Sequence, residues 1–334
     1  MAKTIKVGDV SVEAGERRAF ELPITDLYTN AQTSMPVEIV NGKKPGPTLF
    51  VSAALHGDEI NGVEIVRRLL AHGSLKRLRG ALIAVPIVNV LGFMNLSRYL
   101  PDRRDLNRSF PGSQGGSAAS RLAHIFVSEI LLQSDCGIDL HTAAVHRSNL
   151  PQIRATFDNH EVRRLAAAFG APVIVNAPNR EGSLRAFAAD NNIPMLVYEA
   201  GEALRFDEIS IRSGVRGVLR VMRAMGMLPV RTPPKVVEPV VATDSAWIRA
   251  PQSGIVIALP ELGRRVRRGD TVATISDPVG ANQHAVISPH PGIVIGRTEL
   301  PLVYEGDALC HIAEFEKPKM AEETVAAFKE HHEA

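Results

Sequence analysis

Residues 47–59 read Pro47-Thr48-Leu49-Phe50-Val51-Ser52-Ala53-Ala54 followed by Leu55-His56-Gly57-Asp58-Glu59. The first eight form an apolar run bounded by Pro and Gly, the pattern of a buried strand. His56 and Glu59 stand three residues apart where that strand runs out, so an imidazole nitrogen and a carboxylate can turn toward one cation. Neutral imidazole and carboxylate are ligand types that zinc accepts, and a catalytic zinc takes three protein ligands and leaves one position for water. The stretch is therefore half of a candidate metal site, and the third ligand has to come from elsewhere.

Outward from this strand, apolar residues recur at helical spacing over Asn61–Leu70, and a second buried strand is expected from Gly80 to Val90. Strand, helix, strand is the unit of a parallel sheet. The alternation continues through a helix at Ala118–Leu132, a short strand at Cys136–Leu140, a helix at Glu161–Phe169, a strand at Pro172–Val175, a helix at Ser183–Asn191, a strand at Pro194–Tyr198 and a last helix over about Asp207–Met225. This is the mark of an α/β layer fold. Residues 1 to about 45 alternate polar and apolar and read as strands that supply edge, not chemistry.

The proline-rich Arg231-Thr232-Pro233-Pro234-Lys235 marks a domain boundary. The expected organisation is a catalytic domain over 1–232 with its β lead-in at 1–45, a small all-β domain over 233–316, and a charged helical tail at 317–334. The β segment carries an internal repeat. Ala250-Pro251 with Gly254-Ile255-Val256-Ile257 recurs as Ser288-Pro289 with Gly292-Ile293-Val294-Ile295, an offset of 38, and Gly269-Asp270 with Ile275 recurs as Gly306-Asp307 with Ile312, an offset of 37. Each half resembles the half-motif of biotinyl and lipoyl carrier domains, a barrel-sandwich fold. A carrier role fails because no lysine lies between Lys235 and Lys317 to take a cofactor, which leaves a structural or assembly module.

Three further stretches carry chemistry. Asp139-Leu140-His141-Thr142 closes a short apolar strand and puts a second histidine at a strand's carboxyl end, the edge where open α/β sheets bind ligands. His56, Glu59 and His141, the last 82 residues beyond Glu59, make a short-spaced pair with a distant third ligand, as expected of a catalytic zinc. Asp139 is either a partner that orients a ligand or a turn carboxylate. Glu199 ends the apolar run Pro194–Tyr198, where a carboxylate is costly unless paired or functional; it is the candidate general base for zinc-assisted hydrolysis. Asp105-Leu106-Asn107-Arg108-Ser109-Phe110-Pro111-Gly112 is a polar loop whose arginine fork suits a carboxylate or a carbonyl oxygen, with Asn107 as a neutral donor.

Together, His56-x-x-Glu59, Asp105-Leu106-Asn107-Arg108, Asp139-Leu140-His141 and Glu199-x-Gly201 resemble the succinylglutamate desuccinylase and aspartoacylase family over roughly residues 45–230. The resemblance implies a zinc-carboxypeptidase-like fold, a mixed sheet flanked by helices, followed here by the barrel-sandwich-like β domain. It implies one zinc ion per chain on His56, Glu59 and His141, Glu199 as general base, and Asn107 and Arg108 on the substrate, the arginine assisting the carbonyl oxygen. A further family arginine stands in an Arg-Tyr dipeptide, matched by Arg98-Tyr99, with Arg103 and Arg104 as rivals because the separation to Asp105 is longer. Arg147, in Arg147-Ser148-Asn149-Leu150-Pro151, either lines the pocket or belongs to an ordinary loop.

The expected function is a zinc-dependent amidohydrolase acting on a small N-acylated amino acid or related metabolite. A peptide-cutting metallocarboxypeptidase and a non-catalytic metabolite-binding or assembly protein are the rivals. A formal net charge of +2 is too small to imply a nucleic-acid partner, and the run Arg264-Arg265 with Arg267-Arg268 reads as a solvated turn. Two cysteines far apart, Cys136 and Cys310, no apolar signal segment at the start and no apolar run of membrane length point to the cytoplasm and no membrane partner. The sequence leaves homo-oligomerisation open.

Overall fold

The protein was analysed as a computed structural model, which describes residues 3–26, 30–230 and 238–333. A two-stranded ribbon, β1 (Ile5–Val7) and β2 (Val10–Val12), precedes β3 (Arg17–Asp26), β4 (Gln32–Asn41), β5 (Lys44–Ala53), α1 (Asn61–Leu70), β6 (Arg79–Val85), α2 (Val90–Met94) and α3 (Ala118–Glu129). Then follow β7 (Cys136–Ala143), β8 (Arg147–Ala155), α4 (His160–Phe169), β9 (Val173–Asn176), α5 (Leu184–Asp190), β10 (Met195–Glu202) and α6 (Glu208–Ala224). The C-terminal segment contributes β11 (Val240–Ala242), β12 (Asp244–Arg249), β13 (Gly254–Ala258), β14 (Arg265–Val266), β15 (Thr271–Ser276), β16 (Gln283–Ile287), β17 (Gly292–Thr298), β18 (Leu302–Val303), β19 (Ala308–Glu314) and α7 (Pro318–Glu333). No helix among the described residues is long and apolar enough to cross a membrane.

The central sheet is mixed. Its middle, β6-β5-β7-β10, is parallel, and β4 and β3 extend one side antiparallel, the edge role expected of the N-terminal residues. Alternation along β5 sends Leu49 and Val51 to one face, where α1, α4 and α6 pack, and Phe50 to the other, where α3 and α5 pack. At roughly 25 cal/mol per Å² of apolar surface removed from water, these two faces dominate the favourable side of folding.

Two stretches depart from expectation. The second buried strand stops at Val85, not Val90, because Pro86 leaves the sheet and the Asn89 side chain accepts from the Gly92 amide to start α2. Arg147-Ser148-Asn149-Leu150-Pro151, which the sequence reads as either pocket lining or an ordinary loop, belongs to the interior strand β8, antiparallel to β10. Pro151 is tolerated there because Gln152 pairs with Glu199 and Asn149 with Gly201, so residues 150 and 151 together face Ala200 in a bulge.

The expected boundary at 231–235 lies outside the described residues. Beyond it the repeat is visible as strand pairing. Gly254 pairs with Val303 in one half and Gly292 with Val266 in the other, giving sheets β16-β15-β13-β18 and β12-β19-β17-β14 around one apolar interior. The second of these is continuous with the central sheet, because β17 pairs antiparallel with β8. α7 closes the seam with Ala321 and Val325.

Candidate active site

β5, β7 and β10 are neighbours and parallel, so their carboxyl ends come together, bringing His56, His141 and Glu199 to one edge. At the end of β5, Ala54 takes a left-handed backbone (φ 48°) and the chain turns back, with the Glu59 amide donating to the His56 carbonyl. Gly57 is required in this turn: a Cβ there would stand 2.0 Å from the carbonyl carbon of Gly92 and 2.1 Å from the Phe93 nitrogen.

His56, Glu59 and His141 are all buried, and one ligand atom from each lies within 4.8 Å of the others. The Glu59 carboxylate lies between the rings, 2.7 Å from Nδ1 of His56 and 2.7 Å from Nδ1 of His141, and also accepts the Thr142 amide at 3.1 Å. Each outer ring nitrogen has its own carboxylate: His56 Nε2 meets Asp105 at 3.2 Å, and His141 Nε2 meets Asp139 at 2.7 Å. Asp139 accepts the Ser52 hydroxyl in turn, at 2.7 Å. Asp139 is thus a partner of His141 and not a turn carboxylate. Asp58 is buried, its Oδ1 has no hydrogen-bond partner, and it touches neither histidine by hydrogen bond.

Burial pushes the Glu59 carboxyl up, but the flanking imidazoles outweigh it and hold the group well below the usual carboxylate range. Burial lowers His141 while Asp139 and Glu59 raise it, and the net result is well above an ordinary histidine. Two imidazoles and a carboxylate, converging from buried positions with their outer nitrogens fixed by carboxylates, are a donor set that fits zinc.

A cavity of about 380 Å³ opens beside this cluster, lined by His56, Glu59, His141, Glu199, Arg98, Asn107, Arg108 and Arg147 among others. Arg98 is the arginine that reaches it, pairing with Asp105 at 3.0 Å and Glu59 at 3.3 Å, whereas Arg103 and Arg104 are exposed and line none of it. Asn107 accepts the Leu184 amide at 3.0 Å and so ties its loop to the start of α5. Arg147 extends over the Trp247 ring, 5.3 Å from its centroid. Glu199 accepts from Asn149 Nδ2 at 3.0 Å.

Sequence reasoning missed five charged or aromatic lining residues. Arg154 stands opposite Val197 across the β8–β10 pair, and Arg180 and Arg185 follow the carboxyl end of β9, an edge that could have flagged them. Trp247 and His311 come from the C-terminal segment as a directly opposed pair on β12 and β19, their rings stacked 4.8 Å apart; no local signal in the sequence points to them. Among the described residues, Arg108, Arg147, Arg154, Arg180 and Arg185 have no carboxylate partner. Burial, then Arg154 nearby, pushes Arg185 down to about 10, and its Nη1 is buried without a hydrogen-bond partner.

Residues 45–225, more than half of the chain, match the succinylglutamate desuccinylase/aspartoacylase catalytic domain. The chain is 24% identical over 333 residues to the N-alpha-acetyl-L-2,4-diaminobutyric acid deacetylase of Halomonas elongata, covering 92% of this chain and 93% of the relative. The crystal structure of a succinylglutamate desuccinylase/aspartoacylase from Rhodobacter sphaeroides matches with a TM-score of 0.83 at 25% identity, over 92% of this chain and 99% of that one. The product-bound ectoine utilization protein EutE (DoeB) of Ruegeria pomeroyi shares the fold with a TM-score of 0.82 at 23% identity, over 91% and 96% of the two chains.

Proposed function

The chain belongs to the succinylglutamate desuccinylase/aspartoacylase family, and from that premise we propose that it is a zinc-dependent deacylase of small, acidic N-acyl amino acids. The observation that carries the reading is the joint placement of the His56, Glu59 and His141 donors, Glu199 and unpaired arginines in one cavity. Zinc, one ion per chain on His56, Glu59 and His141, would supply Lewis acidity at the amide carbonyl. Glu199 takes a proton from the attacking water and returns it to the leaving amine. Arg108, which lines the cavity, donates to the carbonyl oxygen as charge builds on it, and Asn107 ties that loop to the start of α5.

Arg185, Arg154 and Arg180 receive the substrate's carboxylates. Arg154 and Arg185 are half-buried and Arg180 is exposed; partly burying a cation without an ion-pair partner carries a cost that an anionic ligand removes. The remaining anions of the cavity are engaged: Glu59 and Asp139 by imidazoles, Glu199 by Asn149. Among the described residues the cavity offers a substrate ammonium no free carboxylate beyond Glu199, the base, so acidic side chains are favoured over the diaminobutyric compound named for the Halomonas relative. The cavity's size, with Trp247 and His311 on its wall, favours small substrates over peptides. The division into catalytic domain 1–232, β domain 233–316 and tail 317–334 belongs to the same proposal, as does a cytoplasmic setting, which suits the buried free thiols of Cys136 and Cys310.

The test is a panel of N-acetyl, N-succinyl and N-formyl amino acids, acidic, neutral and basic, given to zinc-loaded protein whose metal content is measured. The expected result is one zinc per chain and turnover highest on an acidic member. Protein that binds no zinc, or binds it and cleaves dipeptides but no acyl amino acid, overturns the proposal.

A further inference from the structure

The internal repeat breaks at one informative position. Gly254-Ile255-Val256-Ile257-Ala258 in the first half corresponds to Gly292-Ile293-Val294-Ile295-Gly296 in the second. Ala258 is exposed on β13, while Gly296 lies on the strand that the repeat inserts beside β8, directly opposite Asn149. Gly296 does not need a left-handed backbone; what it provides is space. A Cβ there would stand 2.9 Å from Asn149 Oδ1, 3.2 Å from His311 Cβ and 3.5 Å from the Trp247 ring. Asn149 faces the other way with its amide nitrogen, donating to Glu199 Oε2 at 3.0 Å.

The path between the two is set by the β8 bulge. Asn149 pairs with Gly201 in the ladder, and the extra residue at 150–151 re-aims its side chain at Glu199, two positions back along β10. The amide is thus confined on three sides: the bulge below it, Gly296 behind its oxygen, and Glu199 in front of its nitrogen.

We propose that Asn149 is the positioning residue of Glu199, and that the C-terminal repeat serves the active site as a brace, with Gly296 as the contact that lets Asn149 reach the carboxylate. This rests on the reading of Glu199 as the base. It gives a role to a segment that carries no lysine for a cofactor. A carboxylate fixed by one charge-assisted hydrogen bond keeps its second oxygen free and aimed at the cavity, and a hydrogen bond to a charged group is strong enough to set a rotamer.

The test compares Asn149→Ala, Asn149→Asp, Gly296→Ala, the double variant Asn149→Ala/Gly296→Ala and Glu199→Gln, using zinc-loaded protein, N-acetylaspartate and N-acetylglutamate, and crystal structures of wild type and Gly296→Ala. Asn149→Ala and Gly296→Ala should each lower kcat roughly tenfold with KM within about twofold. The double variant should fall no further than Asn149→Ala, since both act on one contact. Asn149→Asp has the same shape but no donor and a like charge, so it should fall at least as far as Asn149→Ala; if Asn149 only fills space, Asn149→Asp does better. In the Gly296→Ala crystal the Asn149 amide should have left hydrogen-bond reach of Glu199, a readout that needs no turnover. An unchanged Asn149–Glu199 contact in that crystal, or additive losses in the double variant, overturns the brace. Near-normal turnover of Glu199→Gln removes the base itself and the brace with it; an inactive Glu199→Gln beside a fully active Asn149→Ala removes only the brace.

Discussion

Glu199 and His141 stand directly opposite each other on the adjacent parallel strands β10 and β7. Neighbouring strands lie about 4.8 Å apart, so the register alone brings a carboxylate beside the imidazole that belongs to the candidate metal cluster. A one-residue slip would turn Glu199 to the opposite face, where α1, α4 and α6 pack. Glu199→Gln is therefore expected to lower kcat at least about 100-fold while zinc content stays at wild-type level, as measured by steady-state kinetics and metal analysis on the same sample. Metal loss in parallel with activity would mean that Glu199 is a ligand and not the base.

The Asp139–His141 hydrogen bond at 2.7 Å fixes which ring nitrogen points at Glu59. Asp139→Asn can no longer hold the proton on Nε2 with a full negative charge. Zinc affinity is expected to drop roughly 10- to 100-fold, read by competition with a chromophoric chelator. Ser52→Ala, one step further out, should show a smaller drop.

Arg185 is half-buried, with a buried Nη1 that lacks a hydrogen-bond partner, and close to Arg154. Arg185→Ala is expected to reduce kcat/KM for N-acyl acidic amino acids by roughly 10- to 100-fold, mostly through KM. The measurement that checks it is a full Michaelis curve on an acidic and a neutral substrate; equal losses on both would place the carboxylate elsewhere.

His311 is 5% exposed and stacked on Trp247, and burial, then the nearby Arg154, pushes it down to about 4. The unfolded imidazole titrates at about 6.5. Because the folded state resists protonation, this residue contributes stability that is present above about pH 6.5 and is lost as pH falls toward 4, about 3 kcal/mol in all. Urea unfolding at pH 7 and pH 5 should show roughly 2 kcal/mol of that loss in wild type and a smaller one in His311→Phe.

Gly57 faces backbone, not a movable side chain, at 2.0 Å. Gly57→Ala must shift the turn that carries His56 and Glu59 or the start of α2. A destabilisation of about 3 kcal/mol with weakened zinc binding is expected, from denaturant unfolding and metal analysis.

Much of the site was legible before any coordinates. His56, Glu59, His141 and Glu199 each end an apolar run, and in a parallel sheet the carboxyl ends of neighbouring strands converge, so strand-end polar residues can be found from pattern alone. The helices at 61–70 and 160–169 kept their expected limits within a residue because their apolar stripes are regular. β8 was not legible. Arg147-Ser148-Asn149-Leu150-Pro151 breaks the alternation with a proline, and only the pairing with β10 and β17 shows that the proline sits in a bulge.

The sequence by itself pointed to the fold family through a motif resemblance, and to the three candidate donors, the candidate base and the two-fold repeat of the C-terminal segment, because each shows in strand-end motifs or repeated spacing. Tertiary structure alone decided that Arg98 and not Arg103 or Arg104 reaches the cavity, that Arg154, Arg180 and Arg185 join it, and that Trp247, His311 and Gly296 come from the repeat to stand behind the site. Trp247, His311 and Gly296 are far from the metal-site motifs in sequence and reach the cavity through the hydrogen-bonded register of β17 with β8 and of β12 with β19, which no local pattern encodes.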